Sequence, residues 1–315
     1  MKKIQLLLLI ATTLFSCSPK QSSKPVIGFI DQLQDETLEK AKTGFFDALK
    51  KDGFNEKNLT IIYRNAQNDQ PTLIQAVDYI ISQHPLLIAT SPTLPTIVTV
   101  QKTKTIPVFM MVSPRPDFAK LTDAKGNAPV NLFGTYETLD YLDTSVMLIK
   151  AVMPSVKKIG TIYNQSEPQS VDALKHIEER CTEMGIELIK LPVNNTNEVQ
   201  LIVQSLLTKH IDAFFALPDN TVFSTMELIV KSCDEKNVPV FTSEEGLVLR
   251  GAVAAFGADM YQWGFQSGEQ AAIFLKTRST GNLKPEIVNV RRRVFNSSKA
   301  KQYNLTFDNS FVSVK

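Results

Sequence analysis

The chain has 315 residues and a formal net charge of +2, with 34 basic and 32 acidic residues interspersed along it. Such a length exceeds one small core and suits two α/β lobes of roughly 120 to 150 residues each. Because the charges nearly balance, no basic field would attract nucleic acid, and we exclude a nucleic-acid partner. The densest basic cluster, Arg291-Arg292-Arg293, lies in an alternating run that predicts a solvated edge strand.

The N-terminal segment is typical of a targeting sequence. Two lysines precede the apolar run Ile4–Leu14, which has signal-peptide length and about half of what a membrane-spanning helix needs. The run ends in LFSC, which resembles the bacterial lipoprotein processing box, in which the cysteine is acylated and the chain is cut just before it. We therefore predict a lipoprotein signal peptide over residues 1–16, lipidation of Cys17 and a solvated tether over residues 17–24. An ordinary secretory signal with an incidental cysteine is the alternative.

Strand-length apolar segments alternate with amphipathic segments in the first half of the chain. They predict strands at Val26–Ile30, Leu59–Tyr63, Leu86–Ala89, Ile106–Val112 and Val130–Gly134. Helical spacing predicts helices over residues 35–53, 71–83 and 94–102. This rhythm requires a parallel sheet with right-handed crossovers.

The second half repeats the pattern. A long helix, Leu139 to about Met153, would carry the chain across to a second lobe, and Pro154 stops it. Strands are predicted at Ile159–Tyr163, Glu187–Leu191, Asp212–Leu217 and Val238–Thr242. Helices are predicted over residues 171–184, 198–207 and 222–237.

A polar loop follows the first strand of each half. Residues 31–34 follow the first strand, and residues 164–170 follow the strand Ile159–Tyr163. Ligands of open α/β sheets bind at the carboxyl ends of the strands. Two similar halves with polar loops at their strand tips therefore predict a cleft.

The cysteines and histidines of the two halves indicate neither a metal site nor a catalytic triad. Cys181 and Cys233 could pair in an exported protein, but two unpaired thiols in helices are the preferred interpretation. His84, His176 and His210 are scattered singly. No cofactor is expected.

Six segments occur in a fixed order over Val26–Ile287: GFFDALKKDGF, KNLTIIYRNAQND, KTKTIPVFMMV, MLIKAVMPSVKKIGTIYNQSEPQSV, LPDNTVFSTMELIV, and VPVFTSEEGLVLRGAVAAFGADM with its continuation YQWGFQSGEQAA. Their order and spacing resemble the substrate-binding lipoproteins of ATP-binding-cassette importers, in particular the branch associated with tryptophan and tyrosine uptake.

This resemblance implies the type I periplasmic-binding-protein fold, an α/β fold of two Rossmann-like lobes with parallel sheets and a hinge of three chain crossings. Lobe 1 would comprise residues 25–134 plus 257–283, and lobe 2 residues 135–256 plus 284–315. Helix Tyr261–Lys276 would pack on lobe 1. The resemblance also implies a monomer without catalytic machinery that delivers a small-molecule solute to an ABC permease in the membrane.

A zwitterionic solute such as an amino acid needs donors for its carboxylate, an anion for its ammonium group and a shaped pocket for its side chain. Hydroxyls at the tips of lobe 1 would bind the carboxylate, and Arg115 could do so bidentately. Asp219 is the first choice for the ammonium partner, and Glu137 is the next. The predicted ligand-binding residues are Gln32, Thr90, Ser91, Ser113, Arg115, Tyr136, Glu137, Asn164, Ser166, Asp219, Asn220, Thr221 and Glu244.

Several of these residues have a structural alternative. Asp219-Asn220-Thr221 is also a good helix N-cap sequence. Glu244 and Glu245 could form an acid/base pair, although one cleft residue and one solvated residue is the preferred interpretation. Tyr63 and Tyr136 could stack on an aromatic ligand, whereas Trp263 is expected to belong to the core.

Two loops depart from the related proteins. Ser113-Pro114-Arg115-Pro116 stands where relatives tend to have Thr-Asp-Pro, and the loop at residues 31–34 lacks a common His-Pro. The added Arg115 favours a solute with a carboxylate or another anionic group, so the ligand need not be tryptophan or tyrosine.

The sequence thus predicts a lipid-anchored solute-binding component of an ABC importer in the cell envelope, outside the cytoplasmic membrane. Its solute would be a small polar molecule, an amino acid with or without an aromatic side chain, captured by hinge closure. The alternative is a ligand-sensing lipoprotein that presents its bound state to a membrane receptor. A hydrolase would need a motif such as GxSxG or HExxH, and the sequence has neither.

Overall fold

The computed structural model of the protein describes residues 24–314. The predicted signal peptide and Cys17 lie outside the described residues. None of the helices in residues 24–314 combines the length and hydropathy needed to cross a bilayer.

Strands and helices alternate through the first part of the described chain. In chain order they are β1 (Val26–Asp31), α1 (Glu36–Lys51), β2 (Thr60–Asn65), α2 (Gln70–Ser82), β3 (Leu87–Ser91), α3 (Thr93–Lys102), β4 (Val108–Met110) and β5 (Leu132–Tyr136). Local sequence sets the start of α1, where the Asp35 side chain accepts hydrogen bonds from the main-chain N–H groups of Thr37 and Leu38.

The same alternation continues in the second part. Its elements are α4 (Tyr141–Val152), β6 (Lys158–Asn164), α5 (Pro168–Glu183), β7 (Glu187–Val193), α6 (Val199–Leu207), β8 (Ala213–Ala216), α7 (Asn220–Ser224), α8 (Met226–Asp234), β9 (Val240–Thr242), α9 (Glu245–Leu249) and β10 (Ala254–Ala258). The last elements are α10 (Met260–Thr277), β11 (Glu286–Ile287), β12 (Arg291–Phe295), α11 (Ser297–Gln302) and β13 (Val312–Ser313).

These strands form two sheets, one in each lobe. The six-stranded sheet has the order β11-β5-β4-β3-β1-β2, and the seven-stranded sheet has the order β13-β12-β10-β9-β8-β6-β7. Neighbouring strands run parallel except for β12, which is antiparallel to β10. The predicted α/β fold with two parallel-sheet lobes is confirmed.

The chain passes between the two sheets after Tyr136, after Ala258 and after Ile287. The predicted lobe boundaries were residues 134, 256 and 283. In the structure the chain continues two to four residues beyond each of these positions before it passes to the other lobe. Thr135 pairs with Glu286 inside the first sheet, and Gly257 pairs with Arg292 inside the second. The displacement arises because strand pairing continues up to the hinge.

The two cysteines of lobe 2 are unpaired and buried. Burial raises the pKa of the Cys181 thiol and of the Cys233 thiol to about 12. Such thiols remain protonated at neutral pH and are poor nucleophiles.

Helix α10 returns the chain to lobe 1 and packs closely against α1. An added Cβ at Gly264 would lie 1.7 Å from the Ala41 carbonyl oxygen, and one at Gly44 would lie 2.0 Å from the Tyr261 carbonyl oxygen. The backbones of the two helices therefore touch where side chains would normally separate them. This contact fixes the start of α10, which lies directly after the second crossing.

The substitution Gly264→Ala is expected to lower the free energy of unfolding by about 1 to 3 kcal/mol, because the new methyl group must push α1 and α10 apart. The better helix propensity of alanine offsets at most about 1 kcal/mol of the clash. Urea unfolding followed by circular dichroism measures the change. Gly281→Ala is the control, since its added Cβ would meet only Ser279 Oγ at 3.5 Å. Equal stability of the two variants would contradict the packing described above.

Candidate functional site

A cavity lies between the carboxyl ends of the two sheets, beside the hinge. Its volume is about 380 Å³, counting the part open to solvent. We call it the interlobe cavity. It is lined by Pro92, Thr93, Val112, Ser113 and Pro114 from lobe 1, by Gln169, Pro218, Asn220, Phe223 and Glu244 from lobe 2, and by Glu137, Leu139, Tyr141 and Trp263 near the hinge.

Five buried side chains of the interlobe cavity each have a polar atom without a partner in the described chain. The atoms are Thr93 Oγ1, Ser113 Oγ, Gln169 Oε1, Asn220 Nδ2 and Glu244 Oε2. Buried polar groups are normally paired, and each unpaired one costs about 1 to 3 kcal/mol. Water or a polar solute in the cavity would supply partners for these five atoms.

Glu244 is the acid of the cavity that lacks a cationic partner among residues 24–314. Its side chain is buried, and its Oε1 accepts hydrogen bonds from Ser243 Oγ at 3.3 Å and from the Tyr141 hydroxyl at 3.5 Å. Burial raises the pKa of Glu244 to about 8. A cation beside Oε2 would reverse that shift, so this carboxyl group is suited to an ammonium ligand.

Glu137 also lines the cavity, but its charge is already neutralised. The Arg291 guanidinium donates to both carboxylate oxygens, at 2.6 and 2.9 Å. The main-chain N–H of Thr138 donates to Oε1 at 2.8 Å. Since Glu137 follows the first crossing and Arg291 follows the third, this ion pair ties two hinge segments together.

Asp219, predicted as the first-choice ammonium partner, lies outside the interlobe cavity. Its Oδ1 caps α7 by accepting from the N–H groups of Thr221 and Val222. Its Oδ2 accepts from the Asn164 N–H at 2.7 Å and from Ser170 Oγ at 2.5 Å. Four donors thus occupy this fully buried carboxylate, and the capping alternative describes its role.

Arg115, predicted to hold the solute carboxylate, is also engaged elsewhere. Its guanidinium pairs bidentately with Asp117 at 2.7 and 2.8 Å, and it lies over the Phe118 ring. The side chain is 44% exposed and does not line the cavity. The carboxylate of Asp117, two residues away, thus occupies the guanidinium that the solute carboxylate was expected to bind.

The other predicted residues divide into two groups. Thr90, Ser91 and Tyr136 do not line the interlobe cavity, and the Thr90 hydroxyl is bonded to that of Thr96 at 2.8 Å. Gln32, Asn164, Ser166 and Thr221 instead line a wider groove beside the cavity, which we call the mouth. The mouth lies near the outer strands β2 and β7, on the side of the cleft away from the hinge.

Of the predicted set, Ser113, Glu137, Asn220 and Glu244 line the interlobe cavity. Sequence reasoning missed Thr93, Gln169, Tyr141 and Phe223. Thr93 and Gln169 lie in the first turns of α3 and α5, close behind the tips of β3 and β6, so their location was a usable signal. Trp263 is buried as expected and donates its indole N–H to the Thr135 carbonyl oxygen, but it also forms part of the cavity wall.

One ion pair crosses the cleft outside the cavity. Arg250 of lobe 2 pairs with Asp35 of lobe 1 through a short contact and with Glu227 of its own lobe at 2.6 Å. Arg250 also donates to the Phe223 carbonyl oxygen at 2.7 Å. The Arg250–Asp35 pair thus joins lobe 2 to lobe 1 directly, outside the interlobe cavity.

Comparison with known proteins places this architecture in a family. The sequence model described as "ABC transporter substrate binding protein" matches residues 26–314. A protein named tyrosine-binding protein, from Clostridioides difficile strain R20291, is 32% identical over 258 residues, which are 82% of this chain and 74% of that protein.

Solved structures share the fold. A conserved domain protein from Vibrio cholerae O1 biovar El Tor is 27% identical with a TM-score of 0.86, covering 93% of this chain and 100% of that one. A Streptococcus ABC domain in complex with L-Trp is 24% identical with a TM-score of 0.83, covering 91% and 97%. The family match spans nearly all described residues, and the chain therefore belongs to the ABC transporter substrate-binding proteins, which bind a solute without turning it over.

Proposed function

We propose that this chain is the lipid-anchored solute-binding component of an ABC importer and that it captures one amino acid in the interlobe cavity. The observation that carries the proposal is the set of five buried polar atoms without partners, contributed by both lobes. These atoms supply donors and acceptors of the kinds that a zwitterion requires.

The two charged ends of the amino acid are assigned by the chemistry of the five atoms. The Thr93 and Ser113 hydroxyls of lobe 1 and Asn220 Nδ2 of lobe 2 can donate to a carboxylate. Glu244 Oε2 can accept from the ammonium group. Since the carboxylate contacts both lobes, its binding energy favours the shut cleft over the open one.

The remaining wall of the cavity is apolar and aromatic. Val112, Leu139, Tyr141, Phe223 and Trp263 surround the space that the side chain of the solute would fill. Such a wall favours a large apolar or aromatic side chain. The relative named tyrosine-binding protein supports an amino acid of this class.

Lipidation of Cys17 would hold the chain at the membrane surface that faces away from the cytoplasm. The LFSC sequence at residues 14–17 supports this part of the proposal. The permease of the importer would be the membrane partner that receives the solute.

Addition of the cognate L-amino acid is expected to stabilise the purified protein by about 2.7 kcal/mol at a hundredfold excess over Kd. A thermal-shift screen of the common L-amino acids measures this stabilisation. The N-acetyl form of each hit is the control, because it retains the carboxylate and side chain but cannot form an ammonium ion. If no amino acid shifts the melting temperature, the proposal of an amino-acid solute is wrong.

Amino-acid affinity is expected to rise with pH below about 8, since binding to Glu244 requires the ionised carboxylate. Below that pKa the increase approaches about tenfold per pH unit, and above it the affinity levels off until the ammonium group of the solute begins to lose its own proton. Isothermal titration calorimetry between pH 6 and 9 measures this dependence. Tyr141 and Glu137 face the same carboxyl group, but burial raises the pKa of Tyr141 well above 10, and Glu137 is paired with Arg291.

Glu244→Gln should weaken binding about 10- to 100-fold at pH 8.5 and flatten the pH profile, because a neutral amide replaces the anion. The variant should also change the stability of the ligand-free protein. The native Glu244 keeps a proton in the folded state that the unfolded state releases above pH 4.5, so its contribution to stability falls between pH 4.5 and about 8. An unchanged pH profile of binding in Glu244→Gln would remove Glu244 from the ammonium site.

Cys17→Ser is expected to release the protein from the membrane fraction, because the acylated thiol is the proposed anchor. Cell fractionation and metabolic labelling with palmitate measure retention and acylation. Ser22→Ala, in the predicted tether, is the matched control and should remain in the membrane. Retention and labelling of Cys17→Ser equal to those of the control would contradict lipid anchoring.

A further inference from the structure

We infer that Gln169 accepts a hydrogen bond from the side chain of the solute, and that Glu167 is the positioning residue that orients Gln169 for this purpose. The inference rests on the proposed function, because it assigns the far end of the same amino acid. It selects amino acids whose side chains carry an O–H or N–H group.

Glu167 lines the mouth and not the interlobe cavity, and it is almost fully buried. Its Oε2 accepts the main-chain N–H of Asn220 at 2.8 Å and the side-chain Nε2 of Gln169 at 2.5 Å. Its Oε1 lies 3.4 Å from Thr221 Oγ1. One carboxyl group thus holds both the Gln169 carboxamide and the start of α7.

These contacts decide which end of the Gln169 carboxamide faces the cavity. A main-chain N–H can only donate, so Oε2 of Glu167 must be an acceptor toward Asn220. An Oε2 that carries no proton can only accept, so the end of Gln169 that meets it is the NH₂ group. The carboxyl group is then ionised or holds its proton on Oε1.

The carbonyl end of Gln169 is consequently fixed toward the interlobe cavity. Gln169 is 7% exposed, lines the cavity, and its Oε1 has no partner among the described residues. Gln169 Oε1 can only accept, as can Glu244 Oε2 once that carboxyl group is ionised, whereas the unpaired hydroxyls of Thr93 and Ser113 can donate or accept. A solute carboxylate beside Gln169 Oε1 or beside the ionised Glu244 would set two acceptors against each other.

The two acceptors follow different strands of the second sheet. Glu244 follows β9 and Gln169 follows β6, with β8 between these strands. At about 4.8 Å between neighbouring strands, the tips of β9 and β6 are roughly 10 Å apart. An extended amino acid whose ammonium group lies at Glu244 would direct the end of its side chain toward Gln169.

The chemistry at this end discriminates between solutes of the same shape. A phenol O–H or an indole N–H can donate to Gln169 Oε1, whereas a hydrocarbon ring leaves that buried acceptor unpaired. A site built to bond a donor rejects the analogue that lacks it much more strongly than a pocket rejects a missing methylene group. One unpaired acceptor corresponds to about 10- to 100-fold in affinity.

Calorimetric titration of the purified protein with two matched pairs tests the inference. L-Tyrosine is compared with L-phenylalanine, and L-tryptophan with 3-(3-benzothienyl)-L-alanine, in which sulfur replaces the indole N–H. In at least one pair the donor-bearing member is expected to bind about 10- to 100-fold more tightly. Gln169→Leu should reduce this ratio to within about threefold by weakening only the donor-bearing member.

Gln165→Leu is the matched control, because Gln165 lies in the turn just before α5, is exposed and does not line the cavity. The affinity ratio between the two members of each pair should be unchanged in this variant.

In Glu167→Leu this affinity ratio should fall to near one, since nothing then holds the Gln169 amide. In Glu167→Gln it should be retained, because the new Oε1 can accept from both donors. If both members of a pair weaken equally in Glu167→Leu, Glu167 has only a structural role and that part of the inference is wrong.

The outcomes separate this inference from the proposed function. Equal binding within both pairs by the unmodified protein overturns the inference and leaves an amino-acid solute standing. Binding of an aliphatic amino acid, with no binding of any member of the two pairs, likewise overturns the inference and leaves an amino-acid solute standing. Failure of every amino acid overturns the proposed function and the inference together.

Discussion

Shutting two lobes over a cavity removes bulk water from polar side chains that the protein itself does not pair. Residues such as Ser113 and Asn220 sit at strand tips because parallel strands end together at one edge of each sheet. Their free hydroxyl and amide groups cost energy when the cleft is dry. The architecture is therefore most stable with a polar molecule between the lobes, and the selectivity of the site follows from which atoms are left unpaired.

Three buried acids near the cleft show how surroundings give one chemical group different roles. Glu137 is matched by Arg291 and joins two hinge segments. The Asp219 carboxyl group accepts four hydrogen bonds from its own lobe and so joins the loop after β6 to the start of α7. Glu244 has hydroxyl partners on one oxygen only, so burial is not compensated by a cation and its pKa rises. Of these three acids, only Glu244 has a buried carboxyl oxygen without a partner in the described chain.

The sequence was sufficient to predict the alternating elements, the two parallel sheets and the polar strand tips, because these depend on periodicities within short segments. Side-chain partners were harder to predict. Arg115 binds an acid two residues away, and Asp219 caps a helix that begins at the next residue. Both local contacts compete with a ligand and are decided by rotamers. Trp263 reaches the cavity wall only because α10 packs closely against α1, which is a property of the tertiary structure.

The bridge from Arg250 to Asp35 has a consequence for how a loaded receptor could be distinguished from an empty one. Glu227 and Arg250 belong to the same lobe, so their contact would survive a rotation of the lobes, whereas opening of the cleft would separate Asp35 from Arg250. That separation would uncover one carboxylate on lobe 1. In the proposed cycle of opening and closing, the two forms would then differ in the electrostatic pattern of an outer edge, which the proposed membrane partner could sense without contacting the solute.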